Sequence, residues 1–148
     1  MMILMLSEQK DITTPESRVA ILIDANSVRD LKTIIKAYES AQNFGRLIYA
    51  GLYVEEKDLT LIGAISSELT KRGIDVKVTI GPNEISMSLD AMEIAYEKKA
   101  ECIIICTRRD SLTPVFKEIK KLGTKTVVFS PISVPLGFNE IVDESYTI

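Results

Sequence analysis

The stretch Val19-Ala20-Ile21-Leu22-Ile23-Asp24 decides the fold, because five apolar residues run without interruption and end on a carboxylate. A continuous apolar run of this length is typical of a strand that is buried on both faces of a parallel sheet. Sheets of this kind bind ligands beyond the carboxyl ends of their strands. Asp24 is therefore the first candidate for a functional residue.

Further apolar segments follow this strand, and stretches with helical spacing of apolar residues separate them. Strand alternating with helix predicts right-handed βαβ units. We therefore expect one domain over residues 18–148, a three-layer α/β/α fold with a mainly parallel sheet of five or six strands. The strands are predicted at residues 19–23, 47–53, 76–80, 102–106 and 126–129, with a last strand or edge segment within 141–148.

The flanking residues 1–17 begin with six apolar residues and are expected to form an extension. This extension either folds onto the edge of the domain or is a disordered tail. The residues that follow strand three, Gly81-Pro82-Asn83-Glu84, predict a turn, with a helix over residues 86–99.

Composition excludes several classes of protein. The 148 residues are 46% hydrophobic and 26% charged, which is typical of a single globular domain. The chain has no histidine, which removes Ser-His-Asp catalysis and every histidine zinc site. A net charge of −3 disfavours a protein that coats nucleic acid through one wide basic patch.

The spacing of the cysteines indicates a reducing compartment, and the hydropathy argues against a membrane-spanning segment. Cys102 and Cys106 lie in one predicted strand, about 13 Å apart at ~3.3 Å per residue, which is too far for a disulfide. They predict buried thiols in a reducing compartment, and we expect a cytoplasmic protein. No apolar run approaches ~18 residues, so no membrane partner is expected.

Acidic residues cluster at the predicted strand ends. Asp24, Glu84 and Asp110 each follow a strand, and Asp90 lies further along the third helix. In a chain without histidine, a site made of oxygen ligands favours Mg²⁺ or Mn²⁺. Such ions activate water and stabilise phosphate in nucleases. Taken singly, these carboxylates are better explained as helix caps or solvated side chains, except Asp24, which ends a fully apolar strand without an obvious capping position.

The ordered set of segments resembles the NYN domain of the PIN-like superfamily, which includes LabA-type proteins. The resemblance covers residues 18–148 and rests on Ile21-Leu22-Ile23-Asp24-Ala25-Asn26, Gly73-Ile74, Glu84 with Ala91-Met92-Glu93, Ile104-Ile105-Cys106-Thr107-Arg108, Thr113-Pro114 and Gly123.

The resemblance implies a metal-dependent ribonuclease with RNA as its partner and Mg²⁺ or Mn²⁺ as its cofactor. Asp24 and Asn26 match the family's acidic residue and asparagine after strand one. Glu84 matches the acidic residue shortly before the third helix, and Asp90 matches a further, commonly acidic, helical position. On this basis Asp24, Glu84 and Asp90 are expected to bind metal, and Asn26 to contact RNA.

The sequence departs from the family after the fourth strand. The family has Asp-x-Asp-Phe there, and matching without a gap places Arg109 and Ser111 in the two Asp positions, with Leu112 in place of Phe. Asp110 lies between them and would reach the site only through a local bulge. Arg108 and Arg109 are interpreted as a phosphate clamp, because guanidinium groups suit phosphate oxygens, or as a solvated or salt-bridged loop pair. Ser111 is a further candidate for contact with RNA phosphate.

Three functions remain open at this point. The first is a working ribonuclease that uses Asp24, Glu84 and Asp90, with Asp110 as a shifted ligand. The second is a catalytically degenerate NYN domain that binds RNA, a nucleotide or a protein. The third is a receiver-like signalling domain with Asp24 at the tip of its first strand. A homo-oligomer is possible, and the apolar residues 1–6 could pair with another chain.

Overall fold

The computed structural model describes residues 17–148, so the predicted extension lies outside the described residues except for Ser17. The chain alternates strands with helices, as the apolar pattern predicts. The strands are β1 Arg18–Asp24, β2 Arg46–Glu55, β3 Asp75–Thr79, β4 Cys102–Cys106, β5 Lys125–Ser130 and β6 Glu144–Thr147. The helices are α1 Leu31–Ala41, α2 Leu59–Lys71, α3 Asn83–Tyr96, α4 Thr113–Lys121 and the short α5 Leu136–Asn139.

The six strands form one sheet in the order β3-β2-β1-β4-β5-β6, and every neighbouring pair is parallel. The predicted α/β fold with a parallel sheet is confirmed. Receiver-like and flavodoxin-like sheets have the order 2-1-3-4-5, in which the third strand lies beside the first. Here β4 takes that place and β3 forms an outer edge, so the receiver-like interpretation is wrong.

The central strand β1 contributes side chains to both faces of the sheet. Val19, Ile21 and Ile23 pack in the core under α1 and α2, whereas Ala20 and Leu22 pack in the core under α3 and α4. This alternation follows from the two-residue repeat of a strand. Because helices cover both faces, the run of apolar residues in β1 is fully buried.

The two cysteines are buried and free, as predicted. Burial raises the pKa of the Cys102 thiol to about 12 and raises the pKa of the Cys106 thiol as well. Both thiols are therefore protonated and unreactive near neutral pH. Within residues 17–148, no helix is long and apolar enough to cross a membrane.

The start of α3 differs from the prediction. The helix begins at Asn83, three residues before the predicted start at Ser86, with the extended residue Pro82 at its N-cap. Glu84 consequently lies in the first turn of α3 rather than in a turn before it. Gly81 and Pro82 correctly predict a turn at this point. The turn ends at Pro82, however, and does not extend to Glu84 as predicted.

Candidate functional site

Asp24 is the last residue of β1, and its side chain is completely buried at the carboxyl edge of the sheet. β1 lies between β2 and β4, so neighbouring strand ends enclose this carboxylate. A buried charge is stable only when it is paired and hydrogen-bonded. Five groups meet its two oxygens: Asn26 N at 2.9 Å, Ser27 Oγ at 3.1 Å, Asn83 Nδ2 at 3.1 Å, Thr107 Oγ1 at 3.0 Å and Arg109 Nε at 3.4 Å.

Glu55, the last residue of β2, is a second carboxylate at this edge. Its Oε2 accepts a hydrogen bond from Asn26 Nδ2 at 2.8 Å and another from the backbone N–H of Asn83 at 3.1 Å. Burial opposes ionisation of Glu55, but these hydrogen bonds and nearby Lys57 outweigh it and lower the pKa of the carboxyl. Glu55 therefore joins the loop after β1 to the first turn of α3.

Arg109 lies between Asp24 and Glu84, two of the three carboxylates that the sequence predicts as metal ligands. Its Nη1 donates a hydrogen bond to Glu84 Oε2, and its Nε pairs with Asp24 Oδ2. Burial opposes its positive charge, but Glu84 and Asp24 outweigh burial and raise the pKa of the guanidinium. The second oxygen, Glu84 Oε1, is buried and has no hydrogen-bond partner among the described residues. The place between Asp24 and Glu84 thus already holds a cation.

The local chain explains why Arg109 points inward. The Thr107 hydroxyl accepts a hydrogen bond from the backbone N–H of Arg109 at 3.0 Å and itself donates to Asp24. This fixes the two residues after β4 against the end of β1. The next residues form a tight 3-10 turn at Asp110–Leu112, and the side chains of Asp110 and Ser111 are exposed on it. The structure therefore turns Arg109, and not Asp110, towards Asp24.

Asp90 lies apart from this edge, in correction of the predicted grouping with Asp24 and Glu84. Its Oδ2 accepts hydrogen bonds from the Tyr53 hydroxyl at 2.6 Å and from Lys77 Nζ at 2.9 Å. Six residues along a helix correspond to about 240° of rotation, so Glu84 and Asp90 face different sides of α3. Within residues 17–148, no three carboxylates or cysteines are grouped so as to hold a metal ion.

The surroundings of Asp90 are a separate polar cluster. A cavity of about 280 Å³ is lined there by Tyr49, Lys77, Asp90 and Glu93, among others. Lys77 lies over the Tyr49 ring, 5.5 Å from its centroid, while it pairs with Asp90. Since its charged groups are paired within the chain, this cavity offers little net charge to a ligand.

Arg108 and Asn26 lie at the rim of the Asp24 site. The backbone N–H of Arg108 donates to Ser27 Oγ at 3.0 Å, while its side chain is exposed to solvent. Asn26 is half-buried and bonded to Glu55. Of the residues predicted to contact phosphate, Arg108 and Ser111 are free to reach a ligand, whereas Arg109 is held by the two carboxylates.

Sequence reasoning misses three residues of the site: Glu55, Asn83 and Thr107. Glu55 carries the same signal as Asp24, a carboxylate at the end of an apolar strand. The sequence predicts that β2 ends at Tyr53, so Glu55 does not stand out as a strand-end residue. Thr107 directly follows β4, where a hydroxyl is easily overlooked beside two arginines. Asn83 is missed because the sequence pattern predicts a turn there. In the structure its Nδ2 donates hydrogen bonds to Asp24 Oδ1 at 3.1 Å and to the Tyr53 carbonyl at 2.7 Å.

Comparisons with known proteins agree on this fold. The chain resembles a crystal structure of a protein of unknown function from Vibrio parahaemolyticus, with a TM-score of 0.73, 17% identity, and coverage of 93% of this chain and 96% of that one. It is 27% identical over 117 residues to an uncharacterized protein of Methanocaldococcus jannaschii, a match that covers 76% of this chain. The chain spans about half the length of that relative, 47%.

The family comparison covers almost all of the described chain. The model of the NYN domain matches residues 18–146, from the first residue of β1 to the last strand. The match includes every residue that surrounds Asp24. The chain therefore belongs to the NYN domain family.

Proposed function

We propose that this NYN domain binds RNA phosphates at the carboxyl edge of its sheet and cleaves RNA slowly or not at all. Membership of the NYN family suggests the PIN-like nuclease superfamily. The observation that carries the proposal is the position of Arg109, whose guanidinium pairs with both Asp24 and Glu84. A protein side chain thus supplies the positive charge that an ion would bring to this pair.

The residues present do not fit a Mg²⁺ ion while Arg109 keeps this position. Mg²⁺ requires about six oxygen ligands in near-octahedral geometry. The carboxylate of Asp24 has about four lone-pair sites, and five groups already meet its oxygens. A divalent cation about 5 Å from the guanidinium would be repelled by about 7 kcal/mol at an effective dielectric constant of about 20.

Exposed groups beside this pair supply the RNA contacts in the proposal. Arg108 projects from a backbone that Ser27 holds in place, so its guanidinium can present a fork of N–H donors to a phosphate. Ser111 is exposed on the next turn. Because Arg109 neutralises much of the charge of Asp24 and Glu84, a phosphate meets less repulsion here than two free carboxylates would exert.

Cleavage of a fluorescent single-stranded RNA with Mn²⁺ tests the catalytic half of the proposal. We expect the natural protein to cleave no faster than its Asp24→Asn variant. The double change Arg109→Asp with Ser111→Asp removes the cation and adds two carboxylates. This double variant should therefore gain cleavage at least tenfold, and the gain should vanish when Asp24→Asn is added, which controls for contaminating nuclease.

Binding of the same RNA, followed by fluorescence anisotropy without metal, tests the other half. A hydrogen bond to a charged group contributes about 1.5–3 kcal/mol, so Arg108→Ala should weaken binding about tenfold or more. The matched control is Arg72→Ala, another exposed arginine, which ends α2 at the opposite edge of the sheet. Equal losses in the two variants would show that the contact is non-specific and would contradict an RNA site at this edge.

A working metal-dependent ribonuclease is the second candidate, and one observation favours it. Glu84 Oε1 is buried and has no partner within residues 17–148, which is unusual for a carboxylate and leaves one ligand position open there. In this alternative, Arg109 would leave Glu84 for an RNA phosphate when the substrate binds. Mn²⁺-dependent cleavage by the natural protein that is lost in Glu84→Gln and in Asp24→Asn would replace the first proposal with this one.

A further inference from the structure

Helix α3 has two apolar faces, and within residues 17–148 only one of them is covered. The first face packs on the sheet through residues such as Met87, Ala91 and Ile94. The second face carries Ile85, Leu89 and Tyr96, which are 60%, 67% and 60% exposed. A helix that is apolar on two sides is normally buried on both.

The exposed residues form a continuous stripe. With Met92, which is half-buried, they follow the spacing 85, 89, 92 and 96. At about 100° per residue these positions lie within a sector of about 60°, and the stripe is about 16 Å long. We call these four residues the α3 stripe. Large exposed apolar side chains aligned in this way indicate a docking surface.

We propose that residues 1–6 of the same chain, Met-Met-Ile-Leu-Met-Leu, cover the α3 stripe. These residues are the most apolar stretch of the chain outside the described part, and extended at about 3.3 Å per residue they match the length of the stripe. An uncovered apolar helix face and an apolar segment of fitting length thus occur in one chain.

The point where the extension joins the domain supports this occupant. Arg18 begins β1 beside the end of α3, where its Nη2 donates to the Lys98 carbonyl at 3.1 Å. Tyr96, at one end of the α3 stripe, lies two residues before Lys98. Residues 7–16 can span up to about 33 Å, about twice the length of the stripe. A linker of this length is sufficient to bring residues 1–6 to all four stripe residues.

The size of the stripe favours a tethered segment over a second copy of the chain. A stable dimer normally uses roughly 20–30 residues on each side, whereas the stripe has four. A segment on a short linker is present at an effective concentration in the millimolar range, so a small contact is sufficient. Covering the stripe would stabilise α3, the helix that carries Asn83 and Glu84 into the site.

Disulfide trapping tests the contact. The pair Leu4→Cys and Leu89→Cys should form an intramolecular disulfide under mild oxidation, at a rate that does not change on tenfold dilution. The control pair is Leu4→Cys and Leu61→Cys, since Leu61 is equally exposed (61%) but lies on α2 over the opposite face of the sheet. The native Cys102 and Cys106 are buried and do not interfere.

The outcomes separate the possible occupants. Cross-linking at least tenfold faster in the Leu89 pair than in the Leu61 pair supports the proposal. Equal rates, or no disulfide in either pair, would refute it. Disulfides that form only between molecules, together with a dimer in light scattering, would assign the stripe to a second copy and would also overturn the proposal.

Thermal denaturation provides a readout that does not depend on engineered cysteines. Two variants are compared: the single change Leu89→Ser on the α3 stripe, and the double change Ile3→Ser with Leu4→Ser in the extension. Each variant should lower Tm, because each removes one side of the same contact. Combined, they should lower Tm by no more than the larger single effect, since contacting residues are not additive. Additive losses would show that the two segments do not meet.

Discussion

Asn83 holds three buried groups together, and its loss tests how the site is stabilised. Its Nδ2 donates to Asp24 Oδ1 and to the Tyr53 carbonyl, and Thr79 Oγ1 lies 2.8 Å from its Oδ1. Asn83→Ala removes all three bonds, although each group keeps another partner, such as the Ala25 N–H on the Tyr53 carbonyl and the Gly81 carbonyl for the Thr79 hydroxyl. We expect the free energy of unfolding to fall by about 2–4 kcal/mol, since a lost neutral hydrogen bond costs about 0.5–1.5 kcal/mol and the bond to Asp24 costs more.

Urea denaturation measures this change, and Asn43→Ala is the control. Asn43 is exposed on the 3-10 turn Gln42–Phe44, so its replacement should shift the unfolding free energy by less than about 0.5 kcal/mol. A loss in Asn83→Ala no larger than in the control would show that Asp24 keeps its charge without help from α3.

Asp24 could be located from the sequence, whereas the contacts of Asp24 could not. A carboxylate after five apolar residues has a local signal, because the strand and its end are adjacent in the chain. Two partners of Asp24, Thr107 and Arg109, lie more than 80 residues away in the chain, and no local pattern pairs them with it. Arg109 could be matched to a position of the family motif, but its orientation depends on the Thr107 hydroxyl.

At the scale of elements, the strands were predictable and the start of α3 was not. β1 and β4 are continuous apolar runs, and burial on both faces requires such runs. The start of α3 depends on two residues. Pro82 directly precedes the first helical residue, and Glu55 accepts a hydrogen bond from the backbone N–H of Asn83. The contact with Glu55 is non-local, so sequence spacing placed Asn83 in a turn and separated Glu84 from the helix.

The same shift in the start of α3 explains why Asp90 does not lie beside Glu84, where the sequence predicts it. In a helix that starts at Asn83, these two residues differ by six positions and point to different sides. Asp90 instead completes a chain of hydrogen bonds with Tyr53 and Tyr49, whose hydroxyls are 2.8 Å apart. Burial and the hydrogen bond to Asp90 raise the pKa of Tyr53, so this hydroxyl remains a donor at every physiological pH.

At the scale of the whole molecule, carboxylates set the response of stability to pH. Glu55 and Glu144 are partly buried and Asp143 is exposed, and in all three, hydrogen bonds and lysine partners outweigh burial and lower the pKa of the carboxyl. A carboxyl group whose pKa is lower in the folded state contributes stability above its unfolded pKa and loses it as the pH falls through the folded pKa. The chain has no histidine to add a transition near pH 6.5.

We therefore expect Tm to be constant between pH 7 and about pH 6 and to fall steadily below about pH 4.5, near the unfolded pKa of Glu. Calorimetry from pH 7 to pH 3 measures this profile. Glu55→Gln should start from a lower Tm at pH 7 and lose less on acidification, because one of the titrating groups is gone. A profile for Glu55→Gln parallel to that of the natural protein would rule out a contribution from Glu55.

The strand order also bears on how the protein is made. Among the strands of residues 17–148, β1 leaves the ribosome before the others, yet it lies in the middle of the sheet, with β2 on one side and β4 on the other. Thr107, which closes the pocket around Asp24, is synthesised 83 residues later. In a nascent chain that ends before β4, one edge of β1 has no neighbouring strand. Asp24 then lacks the hydrogen bond from Thr107 and the contact with Arg109. Folding around Asp24 is therefore completed only after β4 and Thr107 have been synthesised, and a chain truncated before β4 would expose the apolar flank of its central strand.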